Sequence, residues 1–302
     1  DVEVLAEPPV KLAESFRLPN TPVPGQYRAL SAKGLTITHE GETITASDPN
    51  GNPVWHYTRA GLDLCSLGTA WGKVVATYRT GVGCGDTVAI DAATGQYSDT
   101  RSAINSEDVV AIASNDRVGT VSTERVDIWR SDMVRTIEYG DVKAKQEPDM
   151  QEHEECSITS ALTRTENLAV TESCPENPNV TSLRLMGATP EDSRKPEISA
   201  DATMDNQGSR LIAVGQKAAA VYQPGETPRI DSYSETGEKT ASQPVAPSPE
   251  VNNSSTPFAP ATADLPHHMS WFDGQRLYLF TPTTLKVDHV FEAVSYTHLR
   301  AH

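Results

Sequence analysis

The sequence contains no long hydrophobic run. Apolar stretches such as residues 74–76 and 218–221 are only a few residues long, whereas a helix that spans a bilayer needs about 18 or more apolar residues. The sequence therefore predicts no membrane-spanning helix. It begins at Asp1 rather than at a methionine, so we expect any membrane attachment to run only through an N-terminal anchor that has been removed.

Positive charge is also scarce. Lys and Arg together number 25 against 41 Asp and Glu residues, which gives a formal net charge of -16 at pH 7. A surface this acidic repels phosphate backbones instead of attracting them. We therefore expect no nucleic-acid partner.

Sequence motifs of catalysis are missing as well. The chain has no G-x-S-x-G or H-E-x-x-H motif and no Ser/His/Asp grouping, so nothing points to a nucleophilic or zinc hydrolase. Gly81, Gly83 and Gly85 resemble a phosphate-binding loop, but a strand pattern follows them where such a loop requires a helix. The sequence predicts no catalytic residue.

Only four cysteines are present, and their spacing is regular. Cys65 and Cys84 lie 19 residues apart, and Cys156 and Cys174 lie 18 apart. Each pair brackets a predicted hairpin, whose antiparallel strands bring the ends within the roughly 4.4–6.8 Å Cα separation of a disulfide. The sequence predicts the bridges Cys65–Cys84 and Cys156–Cys174, each stabilising the fold by about 3 kcal/mol. Buried free thiols or a metal site are the alternatives, although no C-x-x-C motif is present.

The predicted disulfides also indicate a compartment. Disulfides persist in oxidising surroundings, whereas cytosolic thiols are kept reduced. We therefore predict an extracytoplasmic protein, either secreted or anchored at the outer face of the plasma membrane.

What the sequence does contain is a repeat. An apolar strand at residues 87–90 runs into an Asp-x-x-Thr-Gly turn at residues 91–95, and weaker versions of this pattern recur in units of about 40 residues. That period is typical of propeller blades. We predict an all-β propeller of six or more four-stranded blades, with the last blade incomplete because the pattern stops after residues 276–280.

Composition shifts divide the chain further. Residues 1–25 are rich in proline and predict an extended stalk, and residues 26–293 carry the blades. Residues 242–266 are rich in Pro and Ser with little to bury, which predicts a mobile insertion. The tail at residues 294–302 departs from everything upstream and resembles a translated adaptor sequence, so we interpret it as non-native.

Two turn phrases carry a resemblance to a known family. Residues 91–95 and residues 48–55, which run from an Asp through a Gly to a Trp, resemble the repeat of pyrroloquinoline-quinone-type β-propellers. The match is partial at residues 234–237 and is replaced by Arg-Ser-Asp at residues 130–132. Residues 129–140 also resemble a segment of actinobacterial envelope proteins of unassigned function that are carried on one N-terminal membrane helix. The resemblance implies an extracytoplasmic propeller.

The resembled family includes quinone-dependent dehydrogenases, and the chain departs from them. Those enzymes stack the cofactor between a Trp and a ring of adjacent cysteines and hold calcium with acidic and amide ligands. This sequence has no Cys-Cys pair and only four Trp, three at positions that repeat packing explains. We therefore expect no cofactor.

Two short segments are candidate metal ligands. Residues 149–155 cluster carboxylates around His153, and carboxylate oxygens are the ligands that hard cations prefer. His267 and His268 are adjacent at the end of the predicted insertion. A solvated acidic loop and a flexible histidine pair explain both segments, so we expect no metal.

One charged and aromatic cluster exceeds what a turn requires. It comprises Trp129, Arg130, Asp132, Arg135 and Glu138. A salt-bridged blade edge is one interpretation. The other is a partner-contact patch, since Trp and Arg often anchor interfaces.

Two functions remain open from the sequence. The first is a non-catalytic interaction or scaffold protein of the cell envelope with an envelope protein as partner. The alternative is an enzyme or small-ligand-binding propeller that uses the central channel. Convergent titratable groups in that channel would favour the second function, because catalysis needs positioned groups with tuned pKa values.

Overall fold

The computed structural model describes residues 13–143 and 145–292. Within these ranges the chain forms six four-stranded antiparallel sheets, each built from consecutive strands in sequence order. We number the sheets as blades 1 to 6 along the chain. No helix of the described residues is both long enough and apolar enough to cross a bilayer.

The first three blades precede the acidic loop. Blade 1 contains β1 (Leu30–Ala32), β2 (Leu35–Glu40), β3 (Thr43–Ser47) and β4 (Pro53–Thr58). Blade 2 contains β5 (Leu64–Ala70), β6 (Lys73–Thr80), β7 (Gly83–Asp91) and β8 (Tyr97–Ser102). Blade 3 contains β9 (Val110–Ala113), β10 (Val118–Val121), β11 (Arg125–Trp129) and β12 (Arg135–Gly140).

The other three blades follow that loop. Blade 4 contains β13 (Ser157–Arg164), β14 (Asn167–Ser173), β15 (Thr181–Gly187) and β16 (Ile198–Met204). Blade 5 contains β17 (Arg210–Val214), β18 (Ala218–Gln223), β19 (Arg229–Ser234) and β20 (Lys239–Pro244). The short helix α1 (Pro249–Asn252) precedes blade 6, which contains β21 (Ala261–Asp264), β22 (Met269–Phe272), β23 (Arg276–Phe280) and β24 (Val287–Glu292).

The blades stand side by side around an axis. The first strand of each blade contacts the first strand of the next, in the order β1, β5, β9, β13, β17 and β21. First strands therefore line the centre, and fourth strands lie at the rim. The prediction of an all-β propeller is confirmed.

The last blade differs from its prediction. The sequence predicts an incomplete blade, but β21 pairs with β22 and completes a sheet of four strands. The innermost strand is short and made of small and polar residues, so its composition is that of a loop. Residues 242–266, predicted as an insertion, also contain the end of β20 and the helix α1.

The N-terminal segment differs as well. Residues 13–25 belong to the predicted stalk, yet they lie against blade 1. The Thr21 backbone N–H donates to the carbonyl of His39 at 2.7 Å, the Phe16 ring packs on Gly51, and Val23 is buried in the core of blades 1 and 2. An extended Pro-rich segment has no hydrogen bonds within itself, so it can lie along the blade without forming a further strand of the sheet. The predictions for residues 1–12 and 294–302 lie outside the described residues.

The hydrophobic core is divided among the junctions between blades. Separate buried clusters join blades 1 and 2, blades 2 and 3, blades 3 and 4, blades 4 and 5, and blades 5 and 6. Because successive side chains of a strand point to opposite faces, an interior strand buries residues on both of its faces against the neighbouring blades. All six residues of β18 are buried in this way.

Both predicted cysteine pairs are bonded in the structure. Cys65–Cys84 has a Cα separation of 6.0 Å and Cys156–Cys174 one of 4.2 Å. The second pair brackets the hairpin of β13 and β14. The first joins β5 to β7 across the strand between them, at a register shift between Leu64 and Ser66, so it clamps three strands at one end of blade 2.

The repeated turn joins one blade to the next. In blade 2 the Asp91 carboxylate accepts hydrogen bonds from the backbone N–H groups of Ala93 and Thr94 at 3.0 and 2.9 Å. Gly95 has φ +74°, and a Cβ there would lie 2.6 Å from the Trp55 ring of blade 1. The Trp55 indole N–H donates to the carbonyl of Ala92 at 2.9 Å. The Asp shapes the turn, and the Gly makes room for the Trp of the preceding blade.

We expect Trp55→Ala to lower the free energy of unfolding by about 3–5 kcal/mol, because it removes a buried ring and leaves a cavity. Trp55→Phe keeps most of the ring but loses the indole hydrogen bond, which is worth about 1 kcal/mol, and should be milder. Denaturant titration measures both variants. An Ala variant as stable as the Phe variant would contradict this role for the ring.

Candidate functional site

Trp129, the aromatic residue of the predicted contact patch, lies inside the protein. It ends β11 and is only 2% exposed. The Arg101 guanidinium of blade 2 lies over its ring, 4.6 Å from the ring centroid, and Met133 packs in the same cluster. Trp129 therefore joins blades 2 and 3 and is not available to a partner.

Glu138 and Arg135 belong to a charge cluster at the same junction. Glu138 lies opposite Asp127 on the paired strands β12 and β11, and both carboxylates are buried. Arg135 lies between them, with its Nε 2.9 Å from Asp127 Oδ1 and its Nη1 3.2 Å from Glu138 Oε2. This part of the candidate patch forms the salt-bridged blade edge.

Two further arginines complete this cluster. Arg125, which is 2% exposed, pairs with Glu138 and lies 3.7 Å from Asp127. Arg101 Nη2 lies 3.6 Å from Asp127 Oδ2, and burial lowers the pKa of Arg101 below its ordinary value. Three guanidinium groups thus share two carboxylates that are almost fully buried, and Arg125 is buried with them. Sequence reasoning missed Arg101, Arg125 and Asp127, because the pairing of β11 with β12 and the packing of blade 2 on blade 3 bring them together.

The remaining candidate residues are exposed. Arg130 and Asp132 pair with each other at 2.9 Å, and their side chains are 54% and 52% exposed. Val134 beside them is 49% exposed. Met133, at φ +62°, buries its side chain beneath them and fixes the turn. We call the exposed residues Arg130, Asp132 and Val134 the blade 3 tip.

The central channel is the other candidate site. It holds a cavity of about 540 Å³ lined by the inner strands of all six blades. At one end of the cavity the N-terminal segment around Gly25 meets β9 and the segment before blade 6. A Cβ on Gly25 would lie 2.9 Å from the Cβ atoms of Val110 and Ala259. The Phe258 N–H donates to the carbonyl of Thr159 at 2.8 Å beside them. These contacts narrow this end of the cavity, and we call Gly25, Val110, Phe258 and Ala259 its floor.

Charge in the channel is sparse and paired. Of the residues lining the cavity, only Asp116, Arg164 and Asp264 are charged. Arg164 Nη2 lies 2.8 Å from Asp264 Oδ2, and Asp116 Oδ2 lies 3.3 Å from Arg117 Nη1. Small side chains such as Ala111 and Ala263 make up much of the remaining wall. The cavity can hold a small molecule, with Arg164 as the cation available to an anionic group.

In each candidate metal segment, one potential ligand already has a bond or a hydrogen bond within the protein. His153, Glu155 and Cys156 bring ligand atoms within 4.8 Å of one another, but Cys156 is in a disulfide and offers no thiolate. His268 Nε2 lies 2.8 Å from Asp288 Oδ2, which occupies that ring nitrogen. Gly83 and Gly85 lie within β7, so a strand and not a helix follows Gly81.

Comparisons with known proteins find similarity to solved structures. No protein-family model matches the sequence, and no curated protein matches it. The chain is similar to Hsv2 of Kluyveromyces marxianus at 10% identity over 72% of this chain and 73% of that chain, with a TM-score of 0.48. It is similar to Hsv2p of Kluyveromyces lactis at 12% identity over 72% of this chain and 71% of that chain, with a TM-score of 0.44. The chain is also similar to BamB of Moraxella catarrhalis at 11% identity over 88% of this chain and 87% of that chain, with a TM-score of 0.39.

The charge cluster should be essential to stability, whereas the blade 3 tip should not. Glu138→Ala leaves Arg125 buried without its main partner, which costs about 3–5 kcal/mol. Arg130→Ala removes an exposed pair and should change the free energy of unfolding by no more than about 0.5 kcal/mol. Denaturant titration of the two variants tests this difference. Equal effects would contradict the stabilising role of the buried pair Arg125–Glu138.

Proposed function

We propose that the protein is a non-catalytic interaction protein of the cell envelope that contacts an envelope protein through the blade 3 tip. The observation that carries this proposal is the contrast between buried and exposed side chains in the turn between β11 and β12. Met133 is buried and fixes the backbone, and Asp132 accepts a hydrogen bond from the Val134 backbone N–H at 3.1 Å. The side chains of Arg130, Asp132 and Val134 are exposed, and that of Arg130 pairs only with Asp132. A fixed loop with exposed Arg and apolar groups is suited to contact.

The neighbouring blade extends this surface. The Lys73 ammonium of blade 2 lies 3.4 Å from the Ser131 carbonyl of the same turn and pairs with Asp99 on β8. Tyr97 begins β8 and is among the exposed large hydrophobic residues. Tyrosine has an apolar ring and a polar hydroxyl, which suits it to interfaces. Tyr97 is exposed and Trp129 is buried, so Tyr97 is the aromatic residue that this surface offers to a partner.

An extracytoplasmic location is part of the proposal. Two disulfides within single blades support it, because such bonds persist in oxidising compartments. The resemblance to envelope-carried quinoprotein-type repeats supports it independently. The residues that carry that resemblance, Asp91, Gly95 and Trp55, are those that join blade 1 to blade 2.

Ligand binding in the central channel is the second candidate function. The cavity of about 540 Å³ favours it, because pockets of roughly 300–1,000 Å³ hold small ligands. The paired charges of its wall favour binding over acid-base chemistry. A ligand with an anionic group would have to compete with Asp264 for Arg164.

The test compares two exposed ion pairs on different blades. The double variant Arg130→Ala, Asp132→Ala removes the pair at the blade 3 tip. Its matched control, Lys217→Ala, Glu235→Ala, removes an exposed pair on blade 5 whose side chains are 72% and 56% exposed. We expect the first variant to lose at least tenfold of the envelope protein that co-purifies with the unmodified chain, and the control to retain it.

Thermal unfolding of both variants separates binding from stability. Both midpoints should stay near that of the unmodified chain, since exposed pairs contribute little. Equal retention of the bound protein by the two variants would rule out the blade 3 tip as the contact. Loss in both variants would indicate general charge attraction instead of a defined surface.

A further inference from the structure

Blades 3 and 5 carry the same short pattern on their third strands. Each strand alternates an arginine, an aspartate and an aromatic residue, and these residues are Arg125, Asp127 and Trp129 in β11 and Arg229, Asp231 and Tyr233 in β19. The fourth strand places a cation opposite the aromatic residue in both blades, Arg135 in β12 and Lys239 in β20. A register shift precedes the aromatic residue in both blades as well. The two blades therefore share one local design.

The aspartate of blade 5 holds two cations, as that of blade 3 does. Asp231 is fully buried, and Lys239 Nζ lies 2.8 Å from its Oδ2. Arg229 Nε lies 3.6 Å from Asp231 Oδ1. The corresponding separation in blade 3, from Arg125 Nη2 to Asp127 Oδ2, is 3.7 Å. The similarity of the two patterns thus extends from the sequence to the contacts of the side chains.

The two blades differ at the residue opposite the aspartate. In blade 3 this residue is Glu138, whose carboxylate pairs with Arg125. In blade 5 it is Ser242, whose hydroxyl donates to Asp231 Oδ1 at 2.6 Å and carries no charge. Among the described residues Arg229 has no ion-pair partner other than Asp231, and a separation of 3.6 Å is too long for a hydrogen bond. Blade 5 therefore lacks the carboxylate that this arginine position has in blade 3.

A cavity lies where that carboxylate is missing. It has a volume of about 240 Å³ and lies between blades 4 and 5, with Arg229 and Lys239 in its wall. Thr203, also in the wall, is the residue before the last of β16, the position that Arg101 holds in β8. Because threonine is much shorter than arginine, this junction has room where the other has a guanidinium group. At about 30 Å³ for each water molecule, the room suffices for a small ligand.

We propose that this cavity binds a small carboxylate ligand, which takes the place at Arg229 that Glu138 takes at Arg125. A guanidinium group donates two parallel hydrogen bonds to one carboxylate, and the Arg229 side chain is 51% exposed. Arg229 and Lys239 carry two positive charges against the one negative charge of Asp231, so a ligand with a single negative charge neutralises the group. This site is separate from the blade 3 tip and from the central channel.

Asp205 limits the charge of the ligand. It is the one acidic residue in the wall of the cavity and lies on the exposed loop after β16. Asn206 fixes this loop, because its Nδ2 donates to the Pro224 carbonyl at 2.7 Å. A fixed negative charge repels each negative charge of a ligand. We therefore expect the cavity to favour a monocarboxylate over anions with two or more charges, such as phosphate.

The test uses acetate as the probe. Acetate is titrated into the isotope-labelled chain at constant ionic strength, with chloride as the balancing anion, and nuclear magnetic resonance follows the amide groups of β19 and β20. Arg229→Gln removes the guanidinium group. Lys217→Gln is the matched control, because it removes one exposed positive charge from the same blade. Ser242→Glu gives blade 5 the carboxylate that blade 3 has, and circular dichroism checks that each variant keeps its strands.

We expect the unmodified chain and Lys217→Gln to bind acetate equally. Arg229→Gln should bind it about tenfold more weakly, because hydrogen bonds to a charged group are lost. Ser242→Glu should weaken binding as much, since its own carboxylate fills the site, and Asp205→Asn should strengthen it.

Three results would overturn the proposal. The first is the absence of acetate-dependent shifts in β19 and β20 of the unmodified chain. The second is undiminished binding by Arg229→Gln or by Ser242→Glu. The third is a response to phosphate without one to acetate, which would contradict the carboxylate assignment.

Discussion

A blade can bury its apolar residues only against the blades beside it. Each sheet is one layer thick, so neither face can be covered by the sheet itself, and the core exists only as a series of junction clusters. At about 25 cal/mol for each Å² of apolar surface removed from water, these junctions are the main source of stability. The repeated turn serves the same requirement: the Trp55 ring reaches from one blade onto Gly95 of the next.

The buried charges follow from this arrangement. At the junction of blades 2 and 3 the clustered arginines and carboxylates lie away from the axis, beside Trp129. Wedge-shaped gaps widen toward the rim of a propeller, and long arginine side chains fill such gaps while Asp127 and Glu138 neutralise them. Blade 4 has a similar device. There the Arg184 Nε lies 2.8 Å from Glu172 Oε1, and the Tyr139 hydroxyl donates to the same carboxylate.

Sequence reasoning reached the fold class because its signals are local. Alternating strands, the turn at residues 91–95 and the two cysteine spacings each lie within one or two blades. It failed where a long-range contact decides the outcome. The strand β21 looks like a loop until its pairing with β22 is known, and the N-terminal strip looks like a stalk until blade 1 presents a polar face to it. Trp129 and Glu138 were candidates for a partner-contact patch, but the packing of Trp129 and the pairing of Glu138 with Asp127 show that both side chains lie inside the protein.

The floor of the channel has a consequence for biosynthesis. It joins Gly25, near the start of the described chain, to Val110 and to Ala259, near its end. Each blade can pack as soon as the next blade has left the ribosome, because its four strands are consecutive and its core lies at the junctions with its neighbours. The floor can close only when more than two hundred further residues have been made, and contacts so distant in sequence form slowly. In a nascent chain this end of the channel therefore stays open until the segment around Ala259 has been made and has reached Gly25.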